Sequence, residues 1–564
     1  MVATTPPEPA PPEPAPPVPV GPGRATARIA GAAALIAGLT VVSRLAGFVR
    51  IVVFSGAVGQ THLGDAYQAA NTIPNIIFEL VAGGALAALV VPLVAGPLAR
   101  GDRAEVGATA SALLGWVLLL LIPLTLIVAL AAHPIMWLLL GRSTPDVVAA
   151  GTRMLRVFAP QIPLYGVGIV LTGVLQAHRR FAWPVLAPLL SSLAVIGTYL
   201  AFAAVHPRGV DLPDVGRGAE LILSLGTTLG VVVLSLCLVP PVRRLGLPWR
   251  PTLRFAPEAG RAVRGLAAVG ALTVGSQQLS LALTIALVGS GTAAGSLVLF
   301  TQAQTLYLLP WAVLAVPVAT SVYPVLSTSH VTGDQNRYGR TLAGATRSVL
   351  LLSGLGAAGL AALAWPAAWL LSHVTSGHPD VPRLAAAIIG FAPGLLGYGL
   401  FALHSRALYA RGENRRAAVA ALAGWGAVAA ASILLAVTLP ATARVPAMTA
   451  ANSAGMLVLG VVLVVMIYRR VGAEALAGVG RAAVAAVLGG AVATVAGVLA
   501  RLPVGTPDWP AVALAGILSG SVAALVFVGV AMLIDRRDAG AMLARLRARL
   551  PRPRAHAAAD RRDG

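Results

Sequence analysis

Apolar runs of roughly 20 residues recur along almost the whole chain, and that recurrence leaves one class of fold open. A run of that length crosses the roughly 30 Å hydrocarbon core as a helix. In lipid every backbone N–H and C=O must be satisfied internally, so open sheets fail there. Transmembrane barrels are built from alternating strands, not from long uninterrupted runs. The sequence therefore reads as an all-α polytopic membrane protein. Hydrophobic residues fill 57% of its 564 positions, too many for a soluble protein of this size.

The runs mark about 14 transmembrane helices. Their limits are 29–54, 65–98, 108–131, 147–177, 182–205, 219–242, 262–289, 294–327, 344–371, 384–410, 417–439, 446–468, 478–500 and 510–534. Two are long for a bilayer, and tilt or a kink at Pro74 or Pro310 accommodates them. Arginines crowd every second loop: Arg100/Arg103, Arg179/Arg180, Arg243 to Arg261, Arg337/Arg340, Arg411/Arg415/Arg416 and Arg469/Arg470/Arg481. The intervening loops carry few. The positive-inside rule then places the arginine-rich loops and both termini in the cytoplasm of a multi-pass plasma-membrane protein.

The chain has a net charge of +21, and all 41 of its basic residues are arginine. Most sit in short loops and the tail, where they set topology and face anionic phospholipid headgroups, so nucleic acid is excluded as a partner. Cys237 stands alone and the nine histidines do not cluster, so no disulfide, metal or other cofactor is expected. Residues 1–28 read as a Pro-rich cytoplasmic tail, disordered and without a cleavable signal peptide. Residues 535–564 read as a basic cytoplasmic tail.

The sequence repeats itself at one offset of 233 residues. Leu39-Thr40-Val41 and Ser43 recur as Leu272-Thr273-Val274 and Ser276. Phe158-Ala159-Pro160, Tyr165-Gly166 and Ala177 recur as Phe391-Ala392-Pro393, Tyr398-Gly399 and Ala410. This predicts two six-helix lobes, 29–242 and 262–468, with spans 13 and 14 (478–534) outside the repeat. Six is even, so the lobes insert the same way up as parallel repeats. In transporters built this way the cargo binds between the halves.

Charge breaks the repeat. Arg44 and Arg50 lie inside span 1, where the second half has Gln277 and Leu283. A charge at bilayer depth costs at least a few kcal/mol and normally faces a bundle interior or a watery cavity. Each arginine has two readings. Arg50 either snorkels to the outer headgroups or clamps an anion. Arg44 either forms an ion pair with Glu79 or joins the clamp, and guanidinium geometry suits phosphate or pyrophosphate. The two are six residues apart, about 240° around a helix, so they share a face only if Gly47 allows a bend. Asp65 either caps its own helix or pairs with Arg50 at an outer gate. Asn75 either satisfies the backbone group freed at Pro74 or contacts a ligand. Gln277/Gln278 and Gln302/Gln304 give the second lobe a neutral lining. Arg406 and His404 line the cavity or, for Arg406, snorkel inward. No nucleophile elbow, Walker loop or paired acidic motif is present, which argues against an ATP-driven pump and against an enzyme.

Ser43-Arg44-Leu45-Ala46-Gly47-Phe48-Val49-Arg50, Gly59, Asp65-Ala66-Tyr67, Ile73-Pro74-Asn75, Gly84-Ala85 and Val91-Pro92 together resemble the signature of the MurJ (MviN) lipid II flippases. That family lies in the multidrug/oligosaccharidyl-lipid/polysaccharide exporter superfamily. The resemblance extends over roughly 29–534. It implies alternating-access transfer of an undecaprenyl-pyrophosphate-linked disaccharide-pentapeptide, the peptidoglycan precursor lipid II, from the inner to the outer leaflet. It also implies that Arg44 and Arg50 meet the headgroup, that Asp65 belongs to the outer gate, and that spans 13 and 14 hold the polyprenyl tail. Many members carry a further arginine near Phe78-Glu79, an acid where this chain has Ile51, and an arginine near Thr305. Some bind sodium through acids in spans 7 and 11, which this chain lacks. Two rival readings are an exporter of a drug or another lipid-linked glycan, and a scaffold recruiting cell-wall synthesis proteins through its tails.

Overall fold

The computed structural model describes residues 22–82, 87–250, 252–253, 257–290, 293–501 and 508–540. Its regular structure is helical, apart from one isolated bridge between Gln60 and Gly377. Twelve stretches are long and apolar enough to cross a membrane. A thirteenth is the pair Val381–Phe391 and Gly394–Ala410, bent by 41°. The expected span 65–98 runs as His62–Val81 and Ala87–Ala99, and residues 83–86 between them are not described. The expected count of fourteen is therefore not reached among the described residues. Helix starts already at Pro22, inside the segment expected to be disordered; residues 1–21 and 541–564 lie outside the described residues.

The internal repeat is visible helix by helix. In the first half α1 is Pro22–Ala57, α2 His62–Val81, α3 Ala87–Ala99, α4 Arg103–Leu130 and α5 Ala132–Leu140. Then come α6 Pro145–Phe158, α7 Gln161–Ala177, α8 Ala182–Val205, α9 Arg217–Leu236 and the short α10 Val239–Arg243. The second half opens with α11 Pro257–Gly289 and α12 Ser296–Pro310, followed by a π turn, Trp311–Ala315. It continues with α13 Val316–Val331, α14 Gln335–Ala362, α15 Ala364–Val374, α16 Val381–Phe391, α17 Gly394–Ala410, α18 Asn414–Thr438 and α19 Arg444–Val471. The counterparts α4 and α14 each have 28 residues, and α7 and α17 each have 17.

Side chains repeat as well. Pro160 and Pro393 end α6 and α16 at the same bend, since a proline ring blocks the continuing helical hydrogen bond. The Phe78 and Tyr165 rings lie 4.6 Å apart in the first half, and Trp311 and Tyr398 lie 4.6 Å apart in the second. Gly166 lets α7 press onto Val117 and Leu121 of α4; Gly399 does the same for α17 against Val349 and Ser353 of α14. Without a hydrophobic drive between helices in lipid, such small residues let backbones approach and gain dispersion contacts. Outside the repeat, α20 Val479–Ala500 and α21 Trp509–Ile534 pack on each other and on α14.

The two ends of the bundle differ. Hydrogen bonds that join the halves gather at the end that holds residues 55–65, 143, 289–302 and 375–378. The opposite end carries the arginine-rich loops. There Arg347 Nε sits 2.6 Å from Asp538 Oδ2, and Arg411 reaches Gln335.

Candidate functional site

Both span-1 arginines belong to the first half alone. Ala57 ends α1 at the joined end, so Arg50 lies about 10 Å and Arg44 about 20 Å along the axis from it. Arg44 is exposed and Arg50 half-buried. No hydrogen bond or ion pair to either side chain is found among the described residues. Arg50 lies within electrostatic reach of the hydroxyls of Tyr67, Tyr165 and Tyr199. Tyr165 Oη in turn donates to Asn75 Oδ1 at 3.1 Å, so Asn75 is held by a side chain from α7.

The expected ion pair between Arg44 and Glu79 is not formed. The physical reason is helix placement: α1 packs along α8, and it meets α2 at Phe54 and Tyr67, whose rings lie 5.0 Å apart near the joined end. Glu79, about 21 Å further along α2 than Asp65, is exposed and lies in electrostatic reach of Tyr398 in the second half.

Asp65 pairs with neither Arg50 nor its own helix terminus. Thr61 is the N-cap of α2, accepting the Gly64 N–H at 3.0 Å. Helix α12 begins after Gly295, which has φ +78 and supplies no side-chain cap. The buried Asp65 carboxylate fills that role from α2. Its oxygens accept Gly295 N–H at 2.8 Å, Leu297 N–H at 2.9 Å and Val298 N–H at 3.4 Å. A carboxylate satisfies the orphan donors and complements the positive end of the helix dipole. Arg383 Nη2 donates to Ser296 Oγ at 3.0 Å and brings α16 to the same turn.

Beside it lies a closed neutral network. Gln60 Nε2 donates to Gln302 Oε1 at 3.0 Å. Gln302 Nε2 donates to Ser55 Oγ at 2.8 Å and to Thr375 Oγ1 at 3.1 Å. All four side chains are buried. The backbone joins in: Gln60 N–H donates to Ser376 O at 2.9 Å, and Ser376 N–H to Ser55 O at 2.9 Å. Together these contacts form a latch that ties the two halves to each other at this end. Gln302 was expected in the lining of the second lobe, but residues 302 and 304 point about 200° apart on a helix and cannot share a face. Their two-residue spacing was the available signal.

Gln277 and Gln304 do meet. They line one polar cavity of about 50 Å³ within the second half, with Ser280, Thr284, Trp425 and Asn452. Arg406 sits half-buried near the arginine-rich end of α17, donating to Ala402 O at 2.6 Å. His404 is fully buried against Thr346, at 3.0 Å, and is not among the residues that line this cavity. Ser55, Gln60 and Thr375 carry no such signal in the sequence, and Tyr165 is marked there only by the repeat.

The family description "Lipid II flippase MurJ" matches residues 54–518. The chain belongs to this family. A probable lipid II flippase MurJ of Haemophilus influenzae is 26% identical over 400 residues, covering 67% of this chain and 75% of that protein. The lipid II flippase MurJ of Burkholderia cenocepacia is 26% identical over 385 residues, covering 67% and 72%. A solved lipid II flippase MurJ in an inward closed conformation superposes with a TM-score of 0.70 at 17% identity, covering 88% of this chain and 98% of that one. An inward-facing multidrug resistance transporter of the MATE family and the MOP superfamily superposes with a TM-score of 0.63 at 16% identity, covering 77% and 95%. These two likenesses establish the fold; the family match spans the latch and the neutral cavity and begins four residues after Arg50.

Proposed function

We propose that this MurJ-family chain carries lipid II from the inner to the outer leaflet by alternating access, with Arg44 and Arg50 receiving the pyrophosphate. The observation that carries the reading is that these two guanidinium groups have no hydrogen-bond or ion-pair partner among the described residues, at membrane depth. A structural arginine there would hold a carboxylate, because a lone charge is costly. Two unpaired donors forks in one half instead leave positive potential for a phosphate, which guanidinium binds bidentately. Asn75 and Glu79 lie on the neighbouring helix and offer a neutral and an acidic contact to the rest of the headgroup.

The arginine-rich end faces the cytoplasm under the positive-inside rule. On this reading the latch of Asp65, Gln60 and Gln302 holds the outer side shut while cargo loads from the cytoplasmic side. Helices α20 and α21, beside α14, hold the polyprenyl tail while the headgroup passes between the halves. Phospholipids surround the protein in the plasma membrane.

The test is complementation in a bacterium depleted of its own lipid II flippase, with lipid II measured in each leaflet. Rescue that is lost with Arg44→Ala at equal abundance supports the cargo and the site. Normal rescue by Arg44→Ala and by Arg50→Ala rejects the site. Absence of rescue by a well-expressed wild type rejects the cargo.

A further inference from the structure

The cavity between α11, α12, α18 and α19 contains polar groups that the fold leaves unused. Trp425 is 7% exposed, lines the cavity and has no partner for its Nε1–H among the described residues. Asn452, on α19, has a buried Oδ1 with no partner. The hydroxyl protons nearby are already committed: Ser280 Oγ donates to Trp425 O at 2.7 Å, and Thr284 Oγ1 to Ser280 O at 2.9 Å. The half-buried Gln277 and Gln304 form its more exposed edge. A buried donor or acceptor left unmade keeps the full cost of its desolvation, so a spare donor and a spare acceptor in one cavity call for a guest.

The chemistry of the walls narrows that guest. No side chain lining the cavity is ionisable. A metal ion or a phosphate would arrive without a counter-charge and suffer the full desolvation cost. A neutral guest needs an acceptor for Trp425 and a donor for Asn452, which come from two different helices. A secondary amide carries C=O and N–H on separate atoms, so one guest can serve the donor on α18 and the acceptor on α19. Size agrees. A water takes roughly 10–15 Å³ on the same measure, so 50 Å³ admits about four small heavy atoms, the size of an acetamido or peptide amide group. Phe300 and Met448 supply apolar wall for its carbon atoms. The place is also the counterpart of the arginine site: Gln277 aligns with Arg44 at the 233-residue offset.

We propose that this cavity is an amide-recognition subsite for the cargo headgroup. The inference rests on the transport reading above, whose cargo carries N-acetylated sugars and peptide bonds. The first half of the molecule holds the anion, and the second half reads a neutral amide.

Full-length protein in nanodiscs is titrated with two probes, lipid II and undecaprenyl pyrophosphate, which shares the anion and tail but has no amide. Trp425→Phe keeps the ring and deletes only the donor; Asn452→Leu keeps the volume and deletes the acceptor. Each is expected to weaken lipid II binding about tenfold and to leave undecaprenyl pyrophosphate binding unchanged. Arg44→Ala weakens both. If both cavity variants melt at the wild-type temperature and bind lipid II as wild type does, the cavity holds water only and the subsite is rejected. If either weakens the two lipids equally, amide reading is rejected. A wild type that binds neither lipid rejects the transport reading, and this inference with it.

Discussion

The carboxylate of Asp65 caps a helix that begins 230 residues later, accepting the Leu297 N–H at 2.9 Å. The two halves are thus joined by a helix cap shared between them. Removing it exposes three backbone donors at the start of α12 that no other described side chain accepts. Loss of a cap costs about 1 kcal/mol, and buried orphan donors cost more. Asp65→Ala is therefore expected to weaken the latch by about 2 kcal/mol, roughly a thirtyfold shift toward the state open at that end. The measurement is labelling of a cysteine placed at Ser376, in a Cys237→Ser background, with an impermeant maleimide. Faster labelling is the expected result; an unchanged rate means that the cap does not hold the latch.

Gln60 and Gln302 give a cleaner test because both partners are neutral. Gln302→Leu strands the Gln60 side-chain amide and takes the donor from Ser55 Oγ, while Thr375 Oγ1 keeps its bond to Leu371 O. A single change on either side should open the latch, by about 1–3 kcal/mol per stranded group. Replacing both by leucine removes the mutual need for a partner and should cost less than the sum of the singles. The expected coupling is about 0.5–3 kcal/mol in a double-mutant cycle read by the same labelling assay. Strict additivity would show that the two amides act independently.

Gly377 tests the backbone part of the latch. It has φ +83, and a Cβ there would lie 2.5 Å from Gln60 O. An L-residue in that region costs roughly 1–2 kcal/mol before any clash. Gly377→Ala should therefore accelerate labelling at the latch at least as strongly as Asp65→Ala. Gly101 makes a control, since it has φ +74 with open space around its Cβ position and lies at the opposite end. Gly101→Ala is expected to leave labelling unchanged.

Much of the fold was legible because lipid leaves few choices. Run length gave helices, arginine spacing gave the alternation of loops, and Phe158-Ala159-Pro160 with its copy at 391–393 marked the repeated bend. Asp65 stood out as a candidate for the gate, yet its partner was misread. A carboxylate at the start of the span after Arg50 suggests a salt bridge, whereas backbone N–H groups of α12 have no side-chain signature to find. Arg44 and Glu79 failed for a related reason. They are on consecutive spans, but α1 packs along α8, so adjacency in the chain is not adjacency in space. The neutral cavity was half legible: Gln277 and Gln304 were chosen for polarity, while Trp425 and Asn452 belong to helices that only the folded chain brings to them.

The unpaired state of Arg44 makes the last prediction the sharpest. An arginine in a structural pair stabilises the protein, and deleting it strands a charge at a cost of about 3–5 kcal/mol. Arg44 has no such partner among the described residues, so Arg44→Ala should leave the melting temperature in detergent within about 1 °C of wild type. Glu79→Gln should do the same, and the double variant should show coupling near zero. Transport is expected to respond differently. Arg44→Ala should lose leaflet-to-leaflet transfer of lipid II, and Arg44→Lys should retain only part of it, because an ammonium keeps the charge but not the bidentate fork. A large loss of stability in Arg44→Ala, matched by Glu79→Gln and absent from neither, would mean that the two residues pair in the membrane after all. Their role would then be structural, and the pyrophosphate contact would pass to Arg50 alone.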